Sequence, residues 1–331
     1  MKKLIICILG GIVSALLLIQ VYSFFIHPEI RFFRKADAIS TRWEQQLRHT
    51  GQPCYILGGG SEIRSSLSPQ MMRQYSGINV VNTASAAPFG LGANAAIALN
   101  HMHPGDTLVL SVISVNDENC QAKEGGIKLA MQLFGFSAFT RGGIPMNLDS
   151  LLAPLSSDAG NMLVTAARKL TRGYAYIYDA HSTIHPDGWM EITLSRMKNA
   201  KPNTLKPTDI RVGDTCINIL NHAQTECRKI EANFVVMLPA GYTNTDDTPR
   251  RLLHALQITR LGIPVLRDER LGRITDTLKL ADTEYHLNAS GTAENSYIIA
   301  QLLANKCYWT EGELLERLQK LRIPADTAEL P

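Results

Sequence analysis

The sequence predicts an α/β protein in which helices cover both faces of a central parallel sheet, forming three layers, preceded by one transmembrane helix. Short apolar runs such as "TLVLSVIS" alternate with helical patterns along most of the chain. Strands separated by helices form parallel βαβ units, and continuously apolar strands are typical of sheets buried on both faces. With 331 residues and 45% apolar side chains, the chain can also bury a sizeable core.

The transmembrane prediction rests on an uncharged stretch from Leu4 to Ile26 that follows Lys2 and Lys3. At about 1.5 Å per residue a helix of this length crosses the ~30 Å core of a bilayer, so 4–26 is predicted to be a signal anchor after a basic N-terminus at 1–3. A cleaved leader, with a shorter apolar region of about 7–15 residues, is the alternative. Basic residues flank both ends, so charge leaves the orientation open. We expect a single-pass protein of a bacterial inner (cell) membrane, with its soluble domain in the periplasm or otherwise outside the cytoplasm.

The elements after the anchor begin with residues 27–50, whose mixed charge and apolar positions suit a juxtamembrane helix. Residues 51–331 are predicted to form one domain. Its first half is predicted to contain, in order, the strand "PCYILGGG", the serine-capped helix "SPQMMRQYSG", the strand "INVVNTAS", an alanine-rich helix and the strand "TLVLSVIS".

Residues 119 to about 205 lose this alternation and are predicted to be an insertion or cap. The alternation then resumes with a helix over about 208–231, the strand "NFVVMLPA", a helix over about 248–260, the strand "IPVLRD" and a helix after "HLNASG". Leucines at 314, 315, 318 and 321 predict a final amphipathic helix.

Composition excludes several function classes. A net charge of +3 without a long basic run argues against nucleic acid as a partner. The pairs His101/His103 and His181/His185 lack further cysteine or carboxylate ligands, so neither a metal nor another cofactor is predicted. An odd five cysteines outside the anchor form no disulfide framework. Helical spacing places Cys216 and Cys227 on one apolar face about 16 Å apart, as buried small residues rather than a bonded pair.

Ser61 is the candidate nucleophile, because it follows the first strand, and ligands of parallel sheets bind at the carboxyl ends of the strands. The preceding run Gly58-Gly59-Gly60 permits a sharp turn, and the helix that follows directs N–H groups toward the same place. A plain strand-to-helix turn is the alternative. The stretch matches neither a P-loop nor a complete dinucleotide fingerprint, and the G-x-S-x-G elbow is absent.

His286 is the candidate base, in "ADTEYHLNASG", where Asp282 and Glu284 precede it by four and two residues. In an extended loop these alternate residues share one side, so either carboxylate could orient the imidazole. Asp282 is the preferred acid and Glu284 is kept in reserve.

These segments resemble four sequence blocks of the SGNH (GDSL-like) hydrolase superfamily, within its membrane-anchored bacterial branch of DltD-like proteins and polysaccharide O-acetyltransferases. "LGGGSEIRSSLSP" resembles the nucleophile block and "DTEYHLNASG" the final block; "INVVNTASAAPFG" and "VISVND" occupy the two middle positions. The resemblance implies a flavodoxin-like sandwich of the SGNH type and an oxyanion hole formed by Ser61, Ala86 and Asn116. Alanines replace the usual glycine of the second block, and Ser114 replaces that of the third.

An active member of this family would be a membrane-tethered serine esterase or O-acyltransferase. Its substrate would be an acyl ester of a cell-surface or exported polysaccharide, or another acyl ester, and its partner a membrane-bound acyltransferase. The alternative is a catalytically inactive accessory protein that binds a glycan or that acyltransferase. The aromatic residues at 174, 176, 178 and 189 could form a sugar platform or serve packing alone.

Overall fold

The structure is a computed structural model that describes residues 2–21, 27–112, 120–121, 130, 133, 141–142, 167–173, 176–193, 211–242 and 246–324. The helices are α1 (Lys2–Val21), α2 (Pro28–Arg48), α3 (Ser61–Ser66), α4 (Pro69–Ser76), α5 (Gly90–Leu99), α6 (Ile177–His181), α7 (Asp214–Lys229), α8 (Thr248–Arg260), α9 (Ala289–Ala304) and α10 (Glu311–Lys320). The strands are β1 (Cys54–Gly58), β2 (Asn79–Asn82), β3 (Thr107–Ser111), β4 (Ser182–Ile184), β5 (Met190–Ile192), β6 (Asn233–Met237), β7 (Gly241–Tyr242) and β8 (Arg273–Ile274).

The central sheet has four parallel strands in the order β2-β1-β3-β6, which confirms the predicted α/β class and parallel sheet. Alternate residues of β3 pack on opposite sides of this sheet. Leu108 and Leu110 belong to the core cluster that contains α5, α7, α8 and α10, whereas Val109 belongs to the cluster that contains α3, α4 and α9. Because successive side chains of a strand point to opposite faces, both faces are covered, as the apolar run in β3 predicts.

Helix α2 lies against β2, the strand at one edge of the central sheet. Its Trp43 indole donates a hydrogen bond to the Val80 carbonyl (2.9 Å), and its Ser40 hydroxyl donates to the Asn82 carbonyl (2.6 Å). An uncovered edge strand exposes unpaired backbone groups to other chains. The helix therefore closes this edge with side-chain donors as well as apolar contacts.

The described part of the predicted insertion over 119–205 contains α6 and the antiparallel pair β4–β5. This pair packs against α3 and is hydrogen-bonded to the start of α4. Asp187, in its turn, accepts hydrogen bonds from the Ser68 hydroxyl (2.6 Å) and the Gln70 amide (3.0 Å). The rest of the insertion lies outside the described residues.

The predicted transmembrane helix over 4–26 is not found: among the helices of the described residues, none combines the length and the apolarity that crossing a membrane requires. Helix α1 ends at Val21, and residues 22–26, the last part of that prediction, lie outside the described residues.

Cys216 and Cys227 are both buried and are not bonded to each other, as predicted. The expectation that the cysteines form no disulfides is wrong, because Cys216 is bonded to Cys120, with their Cα atoms 5.5 Å apart. The two residues are separated by 96 positions in sequence. Helical spacing reports only neighbours on the same helix, so it gives no signal for a partner that tertiary folding brings from another part of the chain.

The disulfide predicts a redox-dependent stability. Cys216→Ser should lower the free energy of unfolding by about 2–4 kcal/mol, because the cross-link no longer restricts the unfolded chain. Denaturant unfolding with and without dithiothreitol measures the effect. The reductant should destabilise the wild-type protein to the level of the variant and leave the variant unchanged. A wild-type protein that is insensitive to the reductant would show that this bond makes no contribution.

Candidate active site

The turn between β1 and α3 depends on two glycines. Gly59 has a φ of +153°, which residues with side chains rarely adopt. Gly60 is needed for space instead: a Cβ atom there would lie 2.5 Å from Glu62 Oε2 and 2.7 Å from the Ala87 nitrogen. The turn thus brings the segment around Ala87 against the nucleophile loop and places Ser61 at the first position of α3.

Helix α3 has six residues, and all of them after Ser61 are buried. A helix this short leaves most of its carbonyls without an intrahelical partner, and buried carbonyls need donors. Four side chains from three other regions supply them. The Asn82 side chain donates to the carbonyls of Ile63 (3.2 Å) and of Leu67, the residue after the helix (3.1 Å). The side chains of Trp189 and Thr292 donate to the Ser65 carbonyl (3.2 and 2.9 Å). The Asn295 side chain donates to the Ser66 carbonyl (3.2 Å).

Arg64 joins α3 to the loop that follows β2. Its side chain is buried and donates hydrogen bonds to the carbonyls of Ala84 and Gly188, the latter at 3.0 Å. Burial lowers the pKa of Arg64 to about 10, so the guanidinium stays charged at neutral pH. The hydrogen bonds of the guanidinium connect α3 to the loop that contains Ala84 and to the β4–β5 turn, and so fix both segments near Ser61.

His286 lies in a loop that closes on itself before α9. The Ala281 amide donates to the His286 carbonyl (2.8 Å), and Leu280 forms an antiparallel bridge with Leu287. The Asn288 side chain accepts from the Gly291 amide as the N-cap of α9 and donates to the Leu280 carbonyl (3.2 Å). The loop is therefore fixed at both ends, and the imidazole between them is oriented.

The loop brings His286 and Asp282 to Ser61. His286 Nε2 lies 2.9 Å from Ser61 Oγ, and His286 Nδ1 lies 2.7 Å from Asp282 Oδ1. His286 is 4% exposed. A hydroxyl, an imidazole and a carboxylate linked in this order can activate the hydroxyl as a nucleophile.

Burial alone would raise the pKa of Asp282, but its hydrogen bond to His286, the charge of that imidazole and further hydrogen bonds outweigh burial and keep the pKa below its ordinary value. One of those further bonds comes from the Tyr178 hydroxyl, which donates to Asp282 Oδ2 at 3.3 Å. The carboxylate is thus charged at neutral pH and bound at both oxygens. Glu284, the reserve acid, does not take this place: its backbone carbonyl accepts from the Tyr242 amide, and Asp282 contacts the imidazole.

Two of the three residues expected to form the oxyanion hole, Ser61 and Ala86, lie among the described residues. Ser61 is the first residue of α3, so its amide has no partner within the helix. Ala86 is held by its carbonyl, which accepts from Asn94 Nδ2 at 3.1 Å, and the next amide, that of Ala87, lies beside Gly60. The amides of Ser61, Ala86 and Ala87 make no hydrogen bond to other described residues. Asn116 lies outside the described residues.

The aromatic residues of the insertion divide between two roles. Trp189 is buried, stacks on His185 and donates to α3, so it serves packing. Tyr176 and Tyr178 pack edge-to-face against each other, and the Tyr178 ring centroid lies 6.0 Å from that of His286. The residue at 174 lies outside the described residues.

The sequence analysis missed two residues at the site, Glu62 and Ala87, and gave a different role to a third, Tyr178. Glu62 follows the nucleophile directly, but a glutamate in the first turn of a helix is ordinary, and only its burial makes it unusual. Tyr178 was singled out as an aromatic residue, whereas its hydroxyl is what contacts the acid. In the part of the chain that the structure describes, no group of three or more His, Cys, Asp or Glu side chains is arranged to bind a metal.

Comparison with protein-family models, curated proteins and solved structures yields no match to the chain. The geometry of the site therefore carries the functional argument.

The assignment of the acid predicts opposite results for the two neighbouring carboxylates. Asp282→Asn should lower the rate of ester hydrolysis by about 10²- to 10⁴-fold, because the amide no longer stabilises the charged imidazole or the required tautomer. Glu284→Gln is the matched control and should stay within about twofold of the wild type. The kcat for p-nitrophenyl acetate measures both variants. A large loss in Glu284→Gln with full activity in Asp282→Asn would reverse the assignment.

Tyr178→Phe removes the hydroxyl that donates to Asp282. We expect kcat to fall about fivefold with little change in KM, because one hydrogen bond to the carboxylate is lost and the ring is retained. Tyr176→Phe is the control in the same aromatic cluster. Equal kcat values for the two variants would show that the Tyr178 hydroxyl does not support the acid.

Proposed function

We propose that the protein is a serine esterase or O-acyltransferase of the SGNH (GDSL-like) type. The observation that carries this proposal is the chain of hydrogen bonds from Ser61 through His286 to Asp282, with distances of 2.9 and 2.7 Å. Ser61 follows the carboxyl end of β1, where parallel sheets bind their ligands. The parallel sheet is consistent with the flavodoxin-like layout that such hydrolases share.

The chemistry is acyl transfer in two steps. His286 Nε2 takes the proton of the Ser61 hydroxyl as Oγ attacks the ester carbonyl, and the tetrahedral intermediate then expels the alcohol, which receives that proton. The acyl group is now bonded to Ser61 Oγ. In the second step His286 removes a proton from water or from a sugar hydroxyl, whose oxygen attacks the acyl carbonyl. The bond between the acyl group and Ser61 Oγ then breaks, and His286 returns the proton to Oγ.

The oxyanion formed in each step needs donors that are already in place. The Ser61 amide at the start of α3 and the amides of Ala86 and Ala87 are the described candidates, and Asn116 is the proposed side-chain donor. Such donors are effective because they are fixed before the charge develops. The hydrogen bonds of Arg64 and Asn94 to the Ala84 and Ala86 carbonyls support this role, since they fix the loop that carries the amides.

We propose an acylated carbohydrate of an exported polysaccharide as the substrate class. The half-buried Tyr178 beside the imidazole supports this choice, because aromatic rings cover the apolar faces of sugars. The same proposal places the domain outside the cytoplasm, and the Cys120–Cys216 disulfide supports this location because such bonds persist in oxidising compartments.

The nucleophile is tested by covalent labelling. The wild-type protein should react with a fluorophosphonate probe at Ser61, and Ser61→Ala should lose both labelling and hydrolysis of p-nitrophenyl acetate. Ser65→Ala, on the same helix, is the matched control and should still react. Peptide mapping by mass spectrometry identifies the modified residue. A folded wild-type protein that neither reacts nor hydrolyses esters would favour the inactive, glycan-binding accessory protein instead.

A further inference from the structure

Glu62 is a buried acid directly after the nucleophile, and the acyl-transfer steps above do not use it. Its side chain belongs to α3 and is 1% exposed. Ionisable side chains are rarely buried this completely without a charged partner, because removing a charge from water is costly.

One carboxyl oxygen of Glu62 connects two parts of the site. Oε1 accepts a hydrogen bond from the Gly60 amide at 2.9 Å and another from the Ser111 hydroxyl at 3.3 Å. Gly60 belongs to the nucleophile turn, and Ser111 is the last residue of β3. The side chain therefore attaches the turn that presents Ser61 to the neighbouring strand.

The other carboxyl oxygen lies behind the turn. Among the described residues Oε2 is buried and has no hydrogen-bond partner. It lies so close to Gly60 that a Cβ atom there would be 2.5 Å from it, and the Ala87 nitrogen would be 2.7 Å from the same Cβ. A negative charge on Oε2 thus lies close to the Ala87 amide, which is one of the amides expected to donate a hydrogen bond to the oxyanion.

Burial raises the pKa of Glu62 to about 7, while hydrogen bonds from Gly60, Ser111 and its own amide and the charge of His286 act in the opposite direction.

The other charged groups on the elements packed against α3 have partners of their own. Arg64, on the same helix, donates to the Ala84 and Gly188 carbonyls. Glu191 on β5 lies 3.0 Å from His185, and Glu294 on α9 pairs with Lys279.

We propose that Glu62 is a positioning residue for the Ser61 nucleophile, because its carboxyl group attaches the turn that presents Ser61 to β3. This inference rests on the proposed function, because it concerns the same serine. An ionised Glu62 places a negative charge near the developing oxyanion. The protonated form keeps the turn in place without that effect.

Two variants separate the attachment from the charge. Glu62→Gln keeps an oxygen acceptor for the Gly60 amide and removes the charge, whereas Glu62→Ala removes both. The matched control is Glu191→Gln, which removes a charge from a strand packed on α3 without contacting the turn. The measurement is the rate constant of fluorophosphonate labelling from pH 5 to 9, and thermal unfolding establishes that each variant is folded.

In Glu62→Gln the labelling rate at pH 8 should stay within about threefold of the wild-type rate, because the amide oxygen still accepts from the Gly60 N–H and keeps the turn attached. In Glu62→Ala the rate at pH 8 should fall at least about tenfold, because the nucleophile turn loses its attachment. Glu191→Gln should follow the wild type.

Three outcomes would overturn the proposal or its basis. If folded Glu62→Gln loses as much reactivity as Glu62→Ala, the oxygen acceptor for the Gly60 amide is not what positions Ser61. If folded Glu62→Ala reacts at the wild-type rate, Glu62 does not position Ser61. If the wild type itself is not labelled at Ser61, the proposed function fails, which is distinguishable because the first two outcomes require a reactive serine.

Discussion

The site depends on one constraint, which is that the buried backbone carbonyls of α3 must all receive hydrogen bonds. A buried helix of six residues leaves most of its carbonyls without a partner inside the helix, and each one left without a donor would cost about 1–3 kcal/mol. Side chains from β2, from the β4–β5 turn and from α9 all donate to it. These regions are far apart in sequence, so the nucleophile is fixed only when the whole domain has folded around α3.

The two carboxyl groups near Ser61 are held in different states by their surroundings. Asp282 accepts from His286 and Tyr178, which keeps its pKa below the ordinary value, whereas burial raises the pKa of Glu62 to about 7. His286 bonds to Asp282, and Glu62 bonds instead to the Gly60 amide and the Ser111 hydroxyl. Environments that separate the ionisation of neighbouring acids are typical of sites that move protons.

The sequence was most informative where a local pattern determines local structure. Apolar runs of strand length between helical patterns predicted the parallel sheet, because burial on both faces requires such runs. Ser61 and His286 were selected because each lies in a glycine-containing turn at the end of a predicted strand, and the structure brings them within 2.9 Å of each other. The choice between Asp282 and Glu284 stayed open, since their spacing alone fits either acid.

The fold class and the segments that hold the candidate site follow from the sequence alone, because periodicity and turn chemistry are local properties of the chain. Folding establishes which acid contacts the imidazole, that Cys216 is bonded to Cys120, and that Glu62 and Tyr178 lie at the site. Each of these depends on burial or on a contact between distant segments. Neither is encoded in spacing along the chain, because both arise when separate elements pack against one another.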